Sequence, residues 1–128
     1  MKILIDAHIF LWYITGSNRL KKEYIEIISD LNNDVYLSVA SVWECIIKCQ
    51  IGKLNLPYKP SSYIPEKRKL HQILSLEIEE DVFVYLEDLS PIHKDPFDRI
   101  IISQGLQYGM KIITEDNQIK KYNLPLFI

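Results

Sequence analysis

The chain has only two cysteines and no long apolar run, and both features limit the class of protein to which it can belong. Its 128 residues include only two cysteines, Cys45 and Cys49, four positions apart in a segment with helical spacing. That spacing suits packing better than a disulfide, and no histidine stands at a zinc-ligand distance from them. No stretch approaches the roughly 20 apolar residues of a membrane helix, and Asp6 interrupts any signal-peptide core. We expect one cytoplasmic domain over residues 1–128, without a membrane segment.

The chain also lacks the basic excess that is usual in nucleic-acid-binding proteins. It has 15 lysines and arginines against 17 aspartates and glutamates, a net charge of −2. Acidic residues that bind a metal ion have their charge neutralised by it. The net charge of the whole chain can then differ in sign from the net charge of the remaining residues. Setting aside Asp6, Glu44, Asp95, Asp98 and Asp116 leaves 12 acids against 15 bases, a balance of +3. Net charge therefore does not exclude a nucleic-acid-binding protein.

Short apolar runs alternate with amphipathic segments along the chain. This alternation predicts an α/β protein, with a mainly parallel sheet of about five strands between two helical layers. The predicted strands span residues 2–5, 35–39, 72–76, 111–114 and 126–128. The predicted helices span residues 6–13, 21–31, 41–51, 66–69, 79–86, 96–108 and 117–122. Ser41 is the expected N-cap of the third helix, which would place Glu44 at its N3 position.

Four carboxylates stand beside the predicted buried segments. Asp6 follows the first strand, Glu44 lies in the apolar segment 39–44, Asp98 precedes the run 100–102, and Asp116 follows the run 112–114. In an α/β protein, strand ends and the helices that follow them meet at one edge of the sheet. Carboxylates gathered there would repel one another without a cation between them. A divalent cation bound between the carboxylates is the simplest way to offset this repulsion. The commonest use of such a carboxylate-bound cation is phosphodiester chemistry.

Helix capping is the structural alternative for these acids. Asp95 followed by proline is typical of a helix start, Asp98 then falls at N3, and Asp6 and Asp116 could cap the helices they precede. Serine, threonine or asparagine would cap as well, so capping alone does not require an acid at every start. Asp95 is better explained as a cap than as a ligand.

Other side chains near the acids have two interpretations each. Lys48 is spaced for an exposed ion pair with Glu44, or it could orient Glu44 and partly neutralise the acids. His93 could transfer a proton or anchor a loop. Thr114 could hydrogen-bond Asp6 or a ligand water, and Trp43 is expected in the core.

The first predicted helix contains a dense apolar stretch at residues 10–13. It is either a fully buried helix or one wall of a groove for a partner helix or a second subunit. Both interpretations remain open from the sequence.

Several motifs occur in a specific order along the chain. They are Ile3-Leu-Ile-Asp6-Ala-His8 with Leu11-Trp12, Ser38-Val-Ala-Ser-Val-Trp43-Glu44-x-x-x-Lys48, Gly52-Lys53-Leu54, His93-Lys-Asp95-Pro-Phe-Asp98-Arg99, Thr114-Glu-Asp116 and Tyr122-Asn-Leu-Pro125. The ordered set resembles a PIN domain of the VapC-like toxin branch, over essentially the whole chain. Residues 56–90 match only loosely, and partner or substrate preferences are expected to reside there.

The resemblance implies a Mg²⁺- or Mn²⁺-dependent endoribonuclease that hydrolyses RNA phosphodiester bonds with a metal-activated water. It implies Asp6, Glu44, Asp98 and Asp116 as the catalytic and metal-binding set, with Asp95, Thr114 and Lys48 auxiliary. It also implies a small antitoxin partner and a homodimer. Ala7 departs from the family pattern, because many relatives carry a hydroxyl residue there. Lys94 and Arg99, with Lys48, are candidate phosphate contacts.

Three other protein classes compete with this prediction. A haloacid-dehalogenase-type phosphatase needs a second aspartate where this chain has His8, and a receiver domain needs paired acids that the start of the chain lacks. The alternative that remains is a PIN-fold module that binds RNA or protein without cutting. The complete acid set argues against it.

Overall fold

Four parallel strands form the centre of the computed structural model, which describes all 128 residues. They are β1 (Lys2–Ile5), β2 (Asp34–Ser38), β3 (Leu74–Leu76) and β4 (Lys111–Ile113), in the order β3-β2-β1-β4. The helices are α1 (Ala7–Thr15), α2 (Lys22–Ser29), α3 (Val39–Gln50), α4 (Pro60–Leu70), α5 (Val82–Asp88), α6 (Pro96–Tyr108) and α7 (Asn117–Lys120). The α/β prediction with a parallel sheet is confirmed.

The prediction of a fifth strand at residues 126–128 is wrong. This segment makes one isolated parallel bridge, between Ile112 and Phe127. Ile112 donates its N–H to the carbonyl of Leu126 at 2.8 Å, and Ile128 donates to the carbonyl of Ile112 at 3.1 Å. No second bridge extends this pairing, so the segment is too short to form a strand.

Only α6 has its predicted bounds, and α3 and α4 show the two most informative differences. Helix α3 begins earlier because Ser38, not Ser41, is its N-cap, accepting the N–H of Ala40 at 3.1 Å. Glu44 therefore lies in the middle of the helix and not at N3. Helix α4 is longer than the short helix predicted at residues 66–69, because Pro60 starts it and Pro65 is accommodated inside it.

Side chains from both faces of the sheet are buried, which confirms the three-layer arrangement. Ile3 and Ile5 pack with buried residues of α1 to α4, whereas Leu4 and Ile112 pack with Ile101 of α6 on the other face. Cys45 lies in the first of these clusters, and both cysteines are free as predicted. Burial raises the pKa of the Cys45 thiol to about 12, which makes it unreactive.

Helix α1 is not fully buried. Phe10 has no exposed surface, but Leu11, Trp12 and Tyr13 are only partly buried. The fully buried interpretation of this helix is therefore wrong, and part of its apolar surface faces outward. None of the helices combines the length and the apolar character needed to cross a bilayer.

The register of the central strands determines where the first acids lie. Ile5 of β1 is opposite Ile113 of β4, so the next residues, Asp6 and Thr114, leave the sheet side by side. The N–H of Asp6 donates to the carbonyl of Ile113 at 3.4 Å. Because all four strands are parallel, the carboxyl edge of the sheet also receives the start of α3 after Ser38.

Candidate active site

Asp6 is both a helix cap and a buried acid at the carboxyl edge of the sheet. Its Oδ1 accepts the N–H of Ile9 at 2.9 Å, and its Oδ2 accepts a hydrogen bond from the Thr114 hydroxyl. Only 5% of Asp6 is exposed. Burial raises the pKa of Asp6, although the hydrogen bonds from Ile9 and Thr114 act in the opposite direction. The sequence interpretations as cap and as site acid are therefore compatible.

Thr114 connects Asp6 to Asp116. It is buried, and its Oγ1 accepts the N–H of Asp116 at 3.0 Å while its hydroxyl donates to Asp6. Asp116 caps α7 through the N–H of Gln118 at 2.8 Å and remains partly exposed. The predicted hydrogen bond between Thr114 and Asp6 is confirmed.

We expect Thr114→Val to destabilise the protein by about 1–3 kcal/mol, since it leaves a buried carboxylate oxygen and the N–H of Asp116 without partners. Urea denaturation measures this change in the free energy of unfolding. Thr114→Ser, which keeps the hydroxyl, should lose less than half as much. No loss in Thr114→Val, which keeps the γ-methyl group, would mean that the hydroxyl contributes nothing at this position.

The start of α6 places Asp95, Asp98 and His93 together. Asp95 caps the helix, accepting the N–H groups of Phe97 at 2.9 Å and Asp98 at 3.2 Å, which agrees with the interpretation as a cap. Asp98 lies at N3, where its Oδ2 is 2.7 Å from His93 Nε2. Burial raises the pKa of Asp98 to about 7 against the effect of this hydrogen bond, and the charges of Asp95 and Asp116 add to the rise.

Three of these side chains are close enough to share a metal ion. One ligand atom from each of His93, Asp98 and Asp116 lies within 4.8 Å of the others. The two carboxylates suit Mg²⁺ or Mn²⁺, whereas an imidazole nitrogen is the preferred ligand of softer transition-metal ions. Asp6 is outside this group of three and is connected to it through Thr114 and Asp116. The structure thus places Asp98 and Asp116 of the predicted set together, whereas Asp6 and Glu44 lie outside this group of three.

His93 is the functional side chain that the sequence interpretation left out of the predicted site. Its backbone N–H donates to the hydroxyl of Tyr122 at 3.0 Å, so it does anchor a loop. Its ring also reaches Asp98, which the loop interpretation does not include. Its position two residues before the capping Asp95 does not by itself predict this contact.

Glu44 and Lys48 form a partly buried ion pair on α3. Lys48 Nζ is 2.9 Å from Glu44 Oε2, and only 8% of Glu44 is exposed. Burial lowers the pKa of Lys48, but the hydrogen bond and charge of Glu44 outweigh it and leave that pKa raised. The Glu44 charge also raises the pKa of both Asp6 and Asp98. The predicted helical ion pair between Glu44 and Lys48 is therefore present, and it is partly buried rather than exposed.

The structure gives Arg99 a different role from the predicted phosphate contact. Its guanidinium donates to five acceptors at 3.0–3.4 Å: the carbonyls of Leu86, Leu89, Ser90 and His93 and the hydroxyl of Tyr122. These bonds hold the chain that leads into α6, so the Arg99 side chain is not free to bind substrate. Lys94 is exposed and remains a candidate.

Trp43 does not lie in the core, contrary to the expectation from the sequence, since 59% of it is exposed. Its ring packs edge-on against Phe97, with the ring centroids 5.1 Å apart. It stands beside Glu44 on α3, and Phe97 stands beside Asp98 on α6, so this aromatic contact joins the two helices that carry these acids.

Comparison with known proteins places this arrangement in a family. The family model described as PIN domain matches residues 3–124. Ribonuclease VapC16 of Mycobacterium tuberculosis (strain ATCC 25618 / H37Rv) is 40% identical over 43 residues, which are 34% of this chain and 30% of that protein. That match thus spans less than a third of the relative's length.

Solved structures share the fold at low sequence identity. VapBC2 from Rickettsia felis, bound to a DNA fragment from their promoter, has a TM-score of 0.70 at 15% identity, over 100% of this chain and 96% of that one. VapBC-1 from nontypeable Haemophilus influenzae gives 0.67 at 19%, over 100% and 97%. A toxin–antitoxin complex from Klebsiella pneumoniae gives 0.64 at 16%, over 98% and 95%. Since the family model covers nearly the whole chain, the protein belongs to the PIN domain family.

Proposed function

We propose that this protein is a metal-dependent endoribonuclease and the toxin of a VapBC-type toxin–antitoxin pair. The observation that carries the proposal is the meeting of Asp98, Asp116 and His93 within 4.8 Å, beside a buried Asp6 that is tied to Asp116 through Thr114. Burial raises the free energy of the negatively charged forms of Asp6 and Asp98, and a bound cation would offset it.

Asp6, Glu44, Asp98 and Asp116 would hold Mg²⁺ or Mn²⁺, since their carboxylates form the hard oxygen donor set these ions prefer. Such an ion lowers the pKa of water and stabilises negative charge on a phosphodiester. Thr114 and the helix caps fix the orientation of Asp6 and Asp116, and Lys48 offsets part of the acidic charge.

Two other residues would act on the substrate. His93 Nε2 faces Asp98 and can hold or pass a proton there. Lys94 is exposed one residue further on, where its charge can attract an RNA phosphate without reading its sequence.

The proposed antitoxin partner fits the outward part of α1. A cavity of about 240 Å³ lies between α1 and α3, lined by Leu11, Cys45 and Leu54 among others. An amphipathic helix could place an apolar residue there, in the helix-in-groove manner. The names of the similar structures, VapBC and toxin–antitoxin complexes, support this part of the proposal. A homodimer is proposed on the same basis.

A metal-titrated cleavage assay tests the function. Protein stripped with EDTA is incubated with a mixture of labelled RNAs while MgCl₂ or MnCl₂ is added. We expect cleavage that is absent without metal and saturates with it, leaving 5′-phosphate and 3′-hydroxyl ends. RNA that is bound but stays intact at every metal concentration would favour the non-cleaving module instead.

A further inference from the structure

A second cavity extends the acidic site in a direction that the proposed metal ligands do not explain. It has a volume of about 260 Å³ and is lined by Asp6, Asp116, Glu115, His8, Trp12 and Arg19. The lining shares Asp6 and Asp116 with the acidic site but includes neither Asp98 nor His93. Its other walls come mainly from α1 and the connection that follows it. They contribute an indole and a guanidinium group, which do not bind metal ions.

Arg19 brings a free cation to this cavity. Its backbone N–H donates to Ser17 Oγ at 3.2 Å, which fixes the connection after α1, but its guanidinium has no hydrogen bond or ion pair. The neighbouring Lys21 is the residue that pairs with Glu115, at 3.4 Å. Arg19 is exposed, and a guanidinium without a protein partner beside the acidic edge of the sheet is suited to a phosphate oxygen, which it can bind through two N–H groups.

Trp12 and His8 supply an aromatic wall. They are four residues apart on α1 and therefore share a face of that helix, with ring centroids 6.0 Å apart. Trp12 is partly buried, which holds its ring in place while part of it lines the cavity. A rigid indole offers a stacking surface to any base, and His8 adds a polar edge that can hydrogen-bond one.

We propose that Arg19 and Trp12 bind one unpaired nucleotide next to the phosphate that is cut, with the guanidinium on a backbone phosphate and the indole stacked on the base. This inference rests on the proposed ribonuclease function and deepens it. A base can stack on a side chain only after it has left its helix, so the cavity selects single-stranded RNA over duplex. The volume of the cavity is smaller than the roughly 300 Å³ at which sites for drug-sized ligands begin, and this size suits a single nucleotide.

The test measures binding separately from cleavage. Asp98→Asn serves as the parent, and the dissociation constant of a short fluorescein-labelled single-stranded RNA is measured by anisotropy in MgCl₂ at several salt concentrations. Arg19→Gln should weaken binding about tenfold and lower the slope of log K against log salt by about 1. Trp12→Leu should weaken binding about tenfold with an unchanged slope. Neither change should affect binding of the matching duplex.

Two matched variants test the specificity of these effects. One asks whether RNA binding requires an aromatic ring at position 12, and the other asks whether it requires the positive charge at position 19 in particular. Trp12→Phe keeps an aromatic ring and should bind within about threefold of the parent. Lys59→Gln removes the same charge from the exposed residue before α4 and should have no effect. Thermal melting checks that each variant is folded. The inference is overturned if Arg19→Gln and Trp12→Leu bind like the parent, if Trp12→Phe is as weak as Trp12→Leu, or if Lys59→Gln is as weak as Arg19→Gln.

Cleavage kinetics with Asp98 restored separate this inference from the function on which it rests. Arg19→Gln and Trp12→Leu should raise KM about tenfold with kcat nearly unchanged, because they bind flanking parts of the substrate. Metal-dependent cleavage with an unchanged KM in both variants would refute the nucleotide site and leave the ribonuclease proposal intact. Absence of cleavage by the unmodified protein would refute the ribonuclease proposal itself.

Discussion

Replacing Asp98 with asparagine should lower metal-dependent RNA cleavage by about 10²- to 10³-fold, the loss typical of removing one group that stabilises transition-state charge. Asparagine keeps the shape of the side chain and can still accept a hydrogen bond from His93, so the start of α6 is preserved. What it removes is one negative charge from the group formed with His93 and Asp116. Initial cleavage rates at saturating Mg²⁺ measure the effect.

Asp81→Asn is the matched control for this prediction. It makes the same chemical change at an exposed residue, immediately before α5 and outside the acidic site. Its cleavage rate should equal that of the unmodified protein. A cleavage rate in Asp98→Asn that matches Asp81→Asn would contradict the site as assigned.

Asp98 is a better position for this test than Asp6. In Asp6 one carboxylate oxygen accepts from Ile9 and the other from Thr114, so both oxygens are needed as acceptors. An asparagine there would place an amide N–H₂ group against one of these donors. That conflict costs about 1–3 kcal/mol of stability and would confuse lost folding with lost chemistry.

The parts of the site that could be predicted from the sequence depend on parallel strands. A short apolar run followed by an acid is a local signal, and the parallel arrangement then requires Asp6 and Thr114 to leave the sheet at the same edge. The α6 start was equally local, because Asp95-Pro96 determines a cap and places Asp98 at N3. These positions follow from neighbours in sequence and from one rule of topology.

The roles of Arg99 and His93 could not be predicted in the same way. Arg99 looked available because its hydrogen-bond acceptors are carbonyls as much as thirteen residues earlier and a tyrosine hydroxyl near the end of the chain. Backbone carbonyls leave no pattern in a sequence, since every residue has one. The path of the chain into α6 therefore becomes evident only in three dimensions, and with it the contact of His93 with Asp98.

Exposure was predicted wrongly at Trp43 and was left open for α1. Trp43 and the residues of α1 are apolar, and a sequence pattern assigns apolar residues of a helix to the core. The structure leaves Trp43 largely exposed and Trp12 partly so, next to the acidic site. An aromatic side chain that helps to bind a ligand cannot be distinguished by composition from one that only packs.

The acidic site should also make the metal-free protein less stable as the pH rises. The folded pKa of Asp98 is about 7, against an ordinary value of 3.8, with burial as the main cause. Between about pH 4 and pH 7 the folded state therefore holds a proton that the unfolded state has released. The free energy of unfolding falls across this window, by up to about 4 kcal/mol from this group. The raised pKa of Asp6 acts in the same direction.

Urea denaturation in EDTA from pH 4.5 to 8, on the unmodified protein and Asp98→Asn, isolates this contribution. Other titrating groups affect both proteins, so the difference between the two curves reports on Asp98. We expect Asp98→Asn to become progressively more stable relative to the unmodified protein as the pH rises from 4.5 to about 7. Mg²⁺ at about 100 times its Kd should return about 2.7 kcal/mol to the unmodified protein at pH 8, since it binds the folded state alone. Curves that stay parallel throughout would mean that Asp98 ionises at its ordinary pKa, and that its burial does not favour a bound cation.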